Sequence, residues 1–300
     1  MTTMIQTYPM TRAIEHTQIC PPPLKVYTLG RFALVLHNET VRFQGKVKKK
    51  PLELLKALIA LGGRQVSHEH ISDALWPDAE GDAAQINFKT TLHRLRKVIG
   101  AEAIIVQDGK VTLNDRYCWS DVWAFERLLS ALELRITDHN TTSSGLIAVL
   151  EACAALHQGP FLSRDSETVW SLALREKLRS RWLRVLRNSI VLLGERGECE
   201  AVVYWYEKAI EMNPVAEECY RGLMGCLAGL GQRAEALAIY DRCRKMLAAH
   251  LGIEPSAKTT AFYTAIKQDE IPSTAHTPCE STATRSRYVS SSYAMAQQPS

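Results

Sequence analysis

The feature that most restricts what this chain can fold into is a stretch that repeats itself at an offset of 34 residues. Leu186 pairs with Tyr220, Leu193 with Leu227, Gly197 with Gly231, Val202 with Ala236, Tyr206 with Tyr240, and Ala209 with Cys243. Small residues recur on small ones, bulky on bulky, and a turn glycine falls on a turn glycine. Such a period suits helix hairpins that bury their faces by stacking on one another. The chain reads as helical throughout from Val122, so residues 121–268 are expected to form an all-α domain.

Period and pattern together suggest tetratricopeptide-like hairpins, with the helices before Leu186 continuing the stack in degenerate form. A long helix is expected from about Glu167 to Gly194. It carries Arg175, Lys177, Arg179, Arg181, Arg184 and Arg187, which read either as a contact surface or as a solubilising face.

Residues 24–120 contrast with this. Leu24 to Leu29, Phe32 to His37 and Thr40 to Phe43 are short β-rich runs, separated by tight breaks at Leu29-Gly30-Arg31 and His37-Asn38-Glu39. A helix follows, with Pro51 near its first turn, Leu52, Leu55, Leu58 and Ile59 on one face, and Gly62-Gly63 at its end. Ser67 is a suitable N-cap for a second helix with Ile71, Ala74 and Leu75, stopped by Trp76-Pro77. A third helix is expected from about Ala83 to Ile99, closed by Gly100. Runs 104–106 and 111–113 then flank Asp108-Gly109, a strong hairpin signal because both residues accept positive φ. The fold class is therefore mainly α with a small α+β part. Residues 1–23 lack periodicity and residues 269–300 are rich in Ser, Thr, Ala and Gln, so both are expected to be disordered tails.

Charge separates the two segments. Residues 24–120 hold 15 Lys/Arg against 10 Asp/Glu, whereas residues 121–268 hold 18 of each. The excess cation lies in one segment, as expected of an anion-binding module beside a neutral partner. On the third helix Phe88, Leu92, Leu95 and Ile99 form an apolar stripe, and the cations Lys89, His93, Arg94, Arg96 and Lys97 are expected on the face opposite it. Taken alone, a charged helix face is a solvated one. Here it ends a helix–loop–helix and precedes a basic-tipped hairpin, the geometry of a helix entering a major groove with a wing on nearby phosphates. Arg94 is suited to a bidentate contact to guanine, and Lys89, Thr90, Thr91, His93 and Lys97 to base edges or backbone. Lys46, Lys48, Lys49 and Lys50 read equally as a phosphate anchor or a solvated loop.

These residues carry a resemblance. The stretch KPLELLKALIALGGRQVSHEHISDALWPDAEGDAAQINFKTTLHRLRKVIG resembles the winged helix of OmpR/PhoB-type regulators. SDALWP, LHRLRKVIG and then WSDVWAFERLL are similar to the subgroup joined to a bacterial transcriptional activator domain (BTAD), as in SARP-type antibiotic pathway regulators. AIEMNPVAEECYRGLMGCLAGLGQRAEALAIYDRC and LGIEPSAKT resemble that domain's repeats and closing segment. The likeness spans roughly residues 24–268. It implies a small N-terminal sheet packed on the helices and a recognition helix at 83–99. The family's basic recognition motif falls on His93, Arg94, Arg96 and Lys97, and the wing at 104–113 has Asp108-Gly109-Lys110 at its tip.

Enzyme chemistry is not expected. No GxxxxGK[ST] loop occurs, and His68-Glu69-His70 is not the HExxH zinc motif because its histidines are two apart and point to different helix faces. Cys219 and Cys226 read as core packing. No cofactor, metal or membrane is expected. No run of about 18 apolar residues or secretory signal core is present, so the protein is expected in the cytoplasm. The expected function is sequence-specific binding of double-stranded promoter DNA by a transcription activator. Its repeat domain would pair with a second copy, contact RNA polymerase or take a regulatory input. The alternative is a protein-interaction scaffold whose winged helix binds protein. RNA is a weaker choice, since the basic face lacks aromatic stacking platforms.

Overall fold

The computed structural model describes residues 22–41, 49–79, 81–138, 140–165 and 168–269. The leader through residue 21, the tail from residue 270, Arg42 and Phe43 of the third β-run, Lys46, Lys48 and Glu167 lie outside the described residues. The chain divides into two compact units that interleave along the sequence: Met1–Ala131 with Glu151–Arg181, and Leu132–Leu150 with Trp182–Ser300. A division at residue 120 follows chain order, whereas packing also gathers residues 151–181 into the first unit.

In the first unit, β1 (Leu24–Tyr27), β2 (Ala33–Leu36) and β3 (Glu39–Thr40) form an antiparallel meander. His37 and Asn38 turn the chain between β2 and β3 with φ of 50° and 66°, conformations that polar turn residues tolerate. A strand not foreseen in the sequence, β7 (Cys118–Ser120), lies parallel to β1 with Leu24 opposite Cys118, giving the order β3-β2-β1-β7. Leu24, Val26 and Leu34 are fully buried from this sheet.

Three helices follow the sequence expectation: α1 (Lys49–Ala60), α2 (His68–Leu75) and α3 (Gly81–Ile99). Ser67 caps α2, its hydroxyl accepting from the His70 amide at 3.1 Å. Leu54, Leu55, Leu58, Ile59, Ile71, Leu95 and Ile99 are each at most 1% exposed and form the core between these helices. Full burial of such a side chain contributes about 1.5–3 kcal/mol. The hairpin β5 (Ile104–Gln107) and β6 (Lys110–Leu113) turns at Asp108 and Gly109, with φ of 50° and 70°. A two-residue strand, β4 (Val66–Ser67), adds to β6, so the wing is a three-stranded sheet.

The same unit includes chain far from the winged helix. Leu29 bridges Phe161, the Leu162 amide donates to Thr28 O at 2.8 Å, and Gly30 N donates to Pro160 O at 3.0 Å. Lys56 pairs with Asp165. His157 lies 5.4 Å from the ring of buried Phe125, and desolvation lowers its pKa. The unfolded chain therefore binds a proton at this site that the folded chain resists. Stability is present above about pH 6.5, the free histidine value, and falls as pH drops through it. His157→Leu should flatten that dependence in urea titrations at pH 7.5 and 5.5, and an unchanged pH difference would count against the assignment.

In the second unit the 34-residue repeat is visible in the backbone. The C-terminal part of α6 (Val169–Glu195) forms a hairpin with α7 (Cys199–Met212), and α8 (Glu217–Gly229) forms one with α9 (Arg233–Leu251). Gly197 and Gly231 turn them at φ of 77° and 78°. Glu198 N donates to Leu193 O at 3.0 Å, and its counterpart Gln232 N donates to Leu227 O at 2.8 Å. Leu186, Tyr220, Leu193, Val202 and Ala236 are fully buried. These are the helix C-terminal turns in which a left-handed residue lets the last carbonyls find donors. The closing helix α10 (Ala257–Lys267) packs on α8 and α9, with Tyr263 stacked on Tyr240 at 4.2 Å.

The cations of α6 are engaged with their own chain. In the first unit Lys177 pairs with Glu126 at 3.1 Å and Arg181 donates to Ser130 at 2.8 Å; in the second, Arg184 pairs with Glu133 at 3.3 Å. The constant separation of 51 residues sets α6 alongside α4 (Asp121–Thr137) in parallel. Arg175 donates to Phe161 O at 3.0 Å, and Arg187 pairs with Glu218 at 3.3 Å. Exposed pairs of this kind contribute about 0–1 kcal/mol each, so they align helices more than they stabilise them. The row is neither a free contact surface nor a merely solvated face.

Candidate nucleic-acid interface

The apolar stripe of α3 turns inward: Phe88 is 4%, Leu92 8%, Leu95 0% and Ile99 1% exposed. Because side chains three and four apart share a helix face, this burial forces Lys89, Thr90, His93 and Lys97 to the opposite side, where all four are exposed. Arg94 is exposed beside them. Asp82, in the first turn, supplies the negative charge that a helix N-terminus favours.

Two residues expected on this face lie elsewhere. Thr91 is buried at 7% exposure, because about 100° per residue places it beside Leu95. Arg96 flanks the stripe on its other side, and its Nη2 donates to Ile104 O at 3.0 Å, tying α3 to the start of the wing. The Arg96 Nε is buried without a hydrogen-bond partner, so this side chain is held within the fold. Its ambiguous position was readable in the sequence, where Arg96 sits closer to Leu92 than to Lys97 around the helix.

The wing tip is held by a residue that sequence reasoning set aside. His68, the first residue of α2, meets Gly109 O twice: its amide donates at 3.0 Å and its Nδ1 lies 2.9 Å away. Since a carbonyl only accepts, the Nδ1 proton must point at it. The His68 ring also lies 5.9 Å from that of Phe88. One imidazole thus connects the tip of the wing, the start of α2 and the buried side of α3. The spacing of His68-Glu69-His70 carries no sign of this; a histidine directly after an N-cap, opposite a two-residue hairpin, is the only trace.

Lys110 is exposed on β6 next to the tip. Lys49 is exposed at the start of α1, while Lys50 is engaged with Glu53 at 3.0 Å and donates to Leu75 O at 3.4 Å. Of the lysines expected before α1, Lys49 is therefore the described one with its charge uncommitted by any of these contacts, and Lys48 lies outside the described residues. Among the described residues no cluster of His, Cys, Asp or Glu is arranged to hold a metal ion, and no helix is long and apolar enough to cross a membrane. The arrangement offers point cations and hydroxyl donors on a rigid convex helix, beside a hairpin of fixed position. That suits an extended polyanion with a groove.

The family model described as bacterial transcriptional activator domain matches residues 120–267. The chain is similar to the regulatory protein AfsR of Streptomyces griseus, 25% identical over 209 residues, and to AfsR of Streptomyces coelicolor, 26% identical over 207 residues. Each alignment covers 67% of this chain and 20% of the relative, so the chain spans about a fifth of the length of the curated relatives it matches. Among solved structures, Mycobacterium tuberculosis EmbR in complex with a low affinity phosphopeptide is similar, with a TM-score of 0.63 and 19% identity, covering 92% of this chain and 73% of that one. At this identity the likeness establishes the fold: a winged helix at the N-terminus followed by a helical domain.

Proposed function

We propose that this chain binds promoter DNA sequence-specifically and activates transcription, a reading supported by the match of residues 120–267 to the bacterial transcriptional activator domain and by the similarity to the regulatory protein AfsR. The recognition helix is α3, the wing is the β5–β6 hairpin, and the groove-facing residues are Lys89, Thr90, His93, Arg94 and Lys97. Lys110 and Lys49 reach neighbouring phosphates. The observation that carries the reading is the exposed cationic face of α3 directly opposite its buried stripe, beside a hairpin whose tip is pinned by His68. The protein works in the cytoplasm, and its helical repeats provide the surface for a second copy or for RNA polymerase.

Affinity for duplex DNA measured by fluorescence anisotropy across a salt series tests this. Each phosphate neutralised adds about −0.9 to the slope of log affinity against log salt. Lys97→Ala is expected to weaken binding to all sequences and reduce the slope by about 1. Arg94→Ala is expected to cost about 1–3 kcal/mol of discrimination at one base pair. A protein with no duplex preference and a flat salt response is not a DNA reader.

A further inference from the structure

Ile86 stands 63% exposed on α3, where Leu92, Leu95 and Ile99 are almost wholly buried. A single exposed isoleucine is ordinary on a protein surface; its position is what gives this one meaning. Ile86, Lys89, His93 and Lys97 follow one another at spacings of three and four residues, with Thr90 beside them, so Ile86 leads the exposed cationic stripe. It lies in the N-terminal half of the helix, and at 1.5 Å rise per residue the stripe runs about 16 Å. Local preference does not account for the residue, since a β-branched side chain is a weaker helix former than the polar residues usual on such a face.

Resting on the reading of α3 as the recognition helix, we infer that Ile86 is a specificity residue that packs against the C5-methyl group of thymine in the major groove. The major groove offers protein a single apolar feature on base edges, that methyl group, and apolar side chains recognise it by contact. Residues in the N-terminal part of a recognition helix are those that reach base edges. Lys89 one turn on and Lys97 three turns on supply the attraction for phosphates, which would draw the duplex onto the whole stripe, Ile86 included. A protein partner covering an isolated isoleucine would have to bury these cations as well, at a desolvation cost that a phosphate-lined groove offsets. Asp82, one turn before Ile86, faces the same way and favours a cytosine amino group rather than phosphate beside the thymine.

The test uses the full chain and a random-sequence duplex library, from which preferred sites are selected. In the winning duplex each thymine is then replaced singly by deoxyuridine, which removes one methyl group and leaves pairing intact. Losing one buried methyl contact should weaken wild-type binding about three- to four-fold at one thymine or at two adjacent ones. In Ile86→Ala that penalty should vanish while the salt slope stays as in wild type; in Ile86→Val it should persist in reduced form. A salt slope kept as in wild type shows that these variants are folded, and a lost slope marks misfolding. A wild type indifferent to deoxyuridine at every position overturns the inference, and so does an Ile86→Ala protein that keeps the full penalty. Either result leaves DNA reading by α3 intact. A library that enriches no sequence overturns both.

Discussion

Asp121→Ala is expected to cost the first unit about 3 kcal/mol or more. Asp121 is 2% exposed, and its carboxylate receives four hydrogen bonds. Oδ2 accepts from the amides of Thr28 and Leu29 at 2.6 and 2.7 Å, and Oδ1 accepts from the Thr28 hydroxyl and the Val122 amide at 2.8 Å each. Burial holds its carboxyl above the ordinary carboxylate range, an effect that the four donors offset only in part. Alanine would leave three buried amides without acceptors, each costing about 1–3 kcal/mol unless water enters the space left behind.

The conservative variant separates this mechanism from simple loss of packing. In Asp121→Asn the amide oxygen can still accept from Thr28 and Leu29, and the Thr28 hydroxyl can rotate to accept from the new NH2. The Val122 amide alone then faces a donor, so Asn should cost about 1–2 kcal/mol. Urea denaturation of both variants at pH 7.5 checks the order. Equal losses for Ala and Asn, or less than about 1 kcal/mol for Ala, would mean that the four bonds do not hold β1 to α4. Since α3 and the wing belong to the same unit, the alanine variant should also lose DNA binding in parallel with its fold.

The second large effect is in the repeats. A Cβ added at Gly222 on α8 would lie 2.3 Å from Tyr206 Cζ and 2.4 Å from its hydroxyl, on α7. Tyr206 is only 9% exposed, so its ring has little room to yield. Gly→Ala within a helix ordinarily stabilises by up to about 1 kcal/mol. Here the overlap should win, and Gly222→Ala is expected to destabilise by about 1–3 kcal/mol. A double-mutant cycle makes the cause measurable: with Tyr206→Ala in place, Gly222→Ala should cost little or become favourable. A stabilised single variant would show that α7 and α8 do not approach this closely in solution.

Much of the site was legible in advance because its determinants are local. The apolar stripe of α3 follows from spacing, and burying it dictates which way Lys89, His93 and Lys97 point. Even the departures, Thr91 and Arg96, lie where helix geometry puts them. Residue type alone groups them with the reading face, although their angular positions border the core. Ile86 shows the converse: isoleucine counts as core by composition, and only its place opposite Phe88 marks it as exposed.

The sequence by itself determined the turns and the repeats. Asp108-Gly109 and the glycine pair 197 and 231 require backbone conformations that few residues adopt, and alternating or helical periodicity needs no partner to be recognised. The tertiary structure alone decided that β7 runs parallel to β1, that residues 151–181 join the first unit, that His68 pins the wing, and that Asp121 clamps a strand end 93 residues before it. The physical reason is that each of these is a hydrogen bond or packing contact between chain-remote groups. Its energy depends on which surfaces collapse together, and a buried carboxylate or imidazole looks the same in sequence as a solvated one until its donors and acceptors arrive.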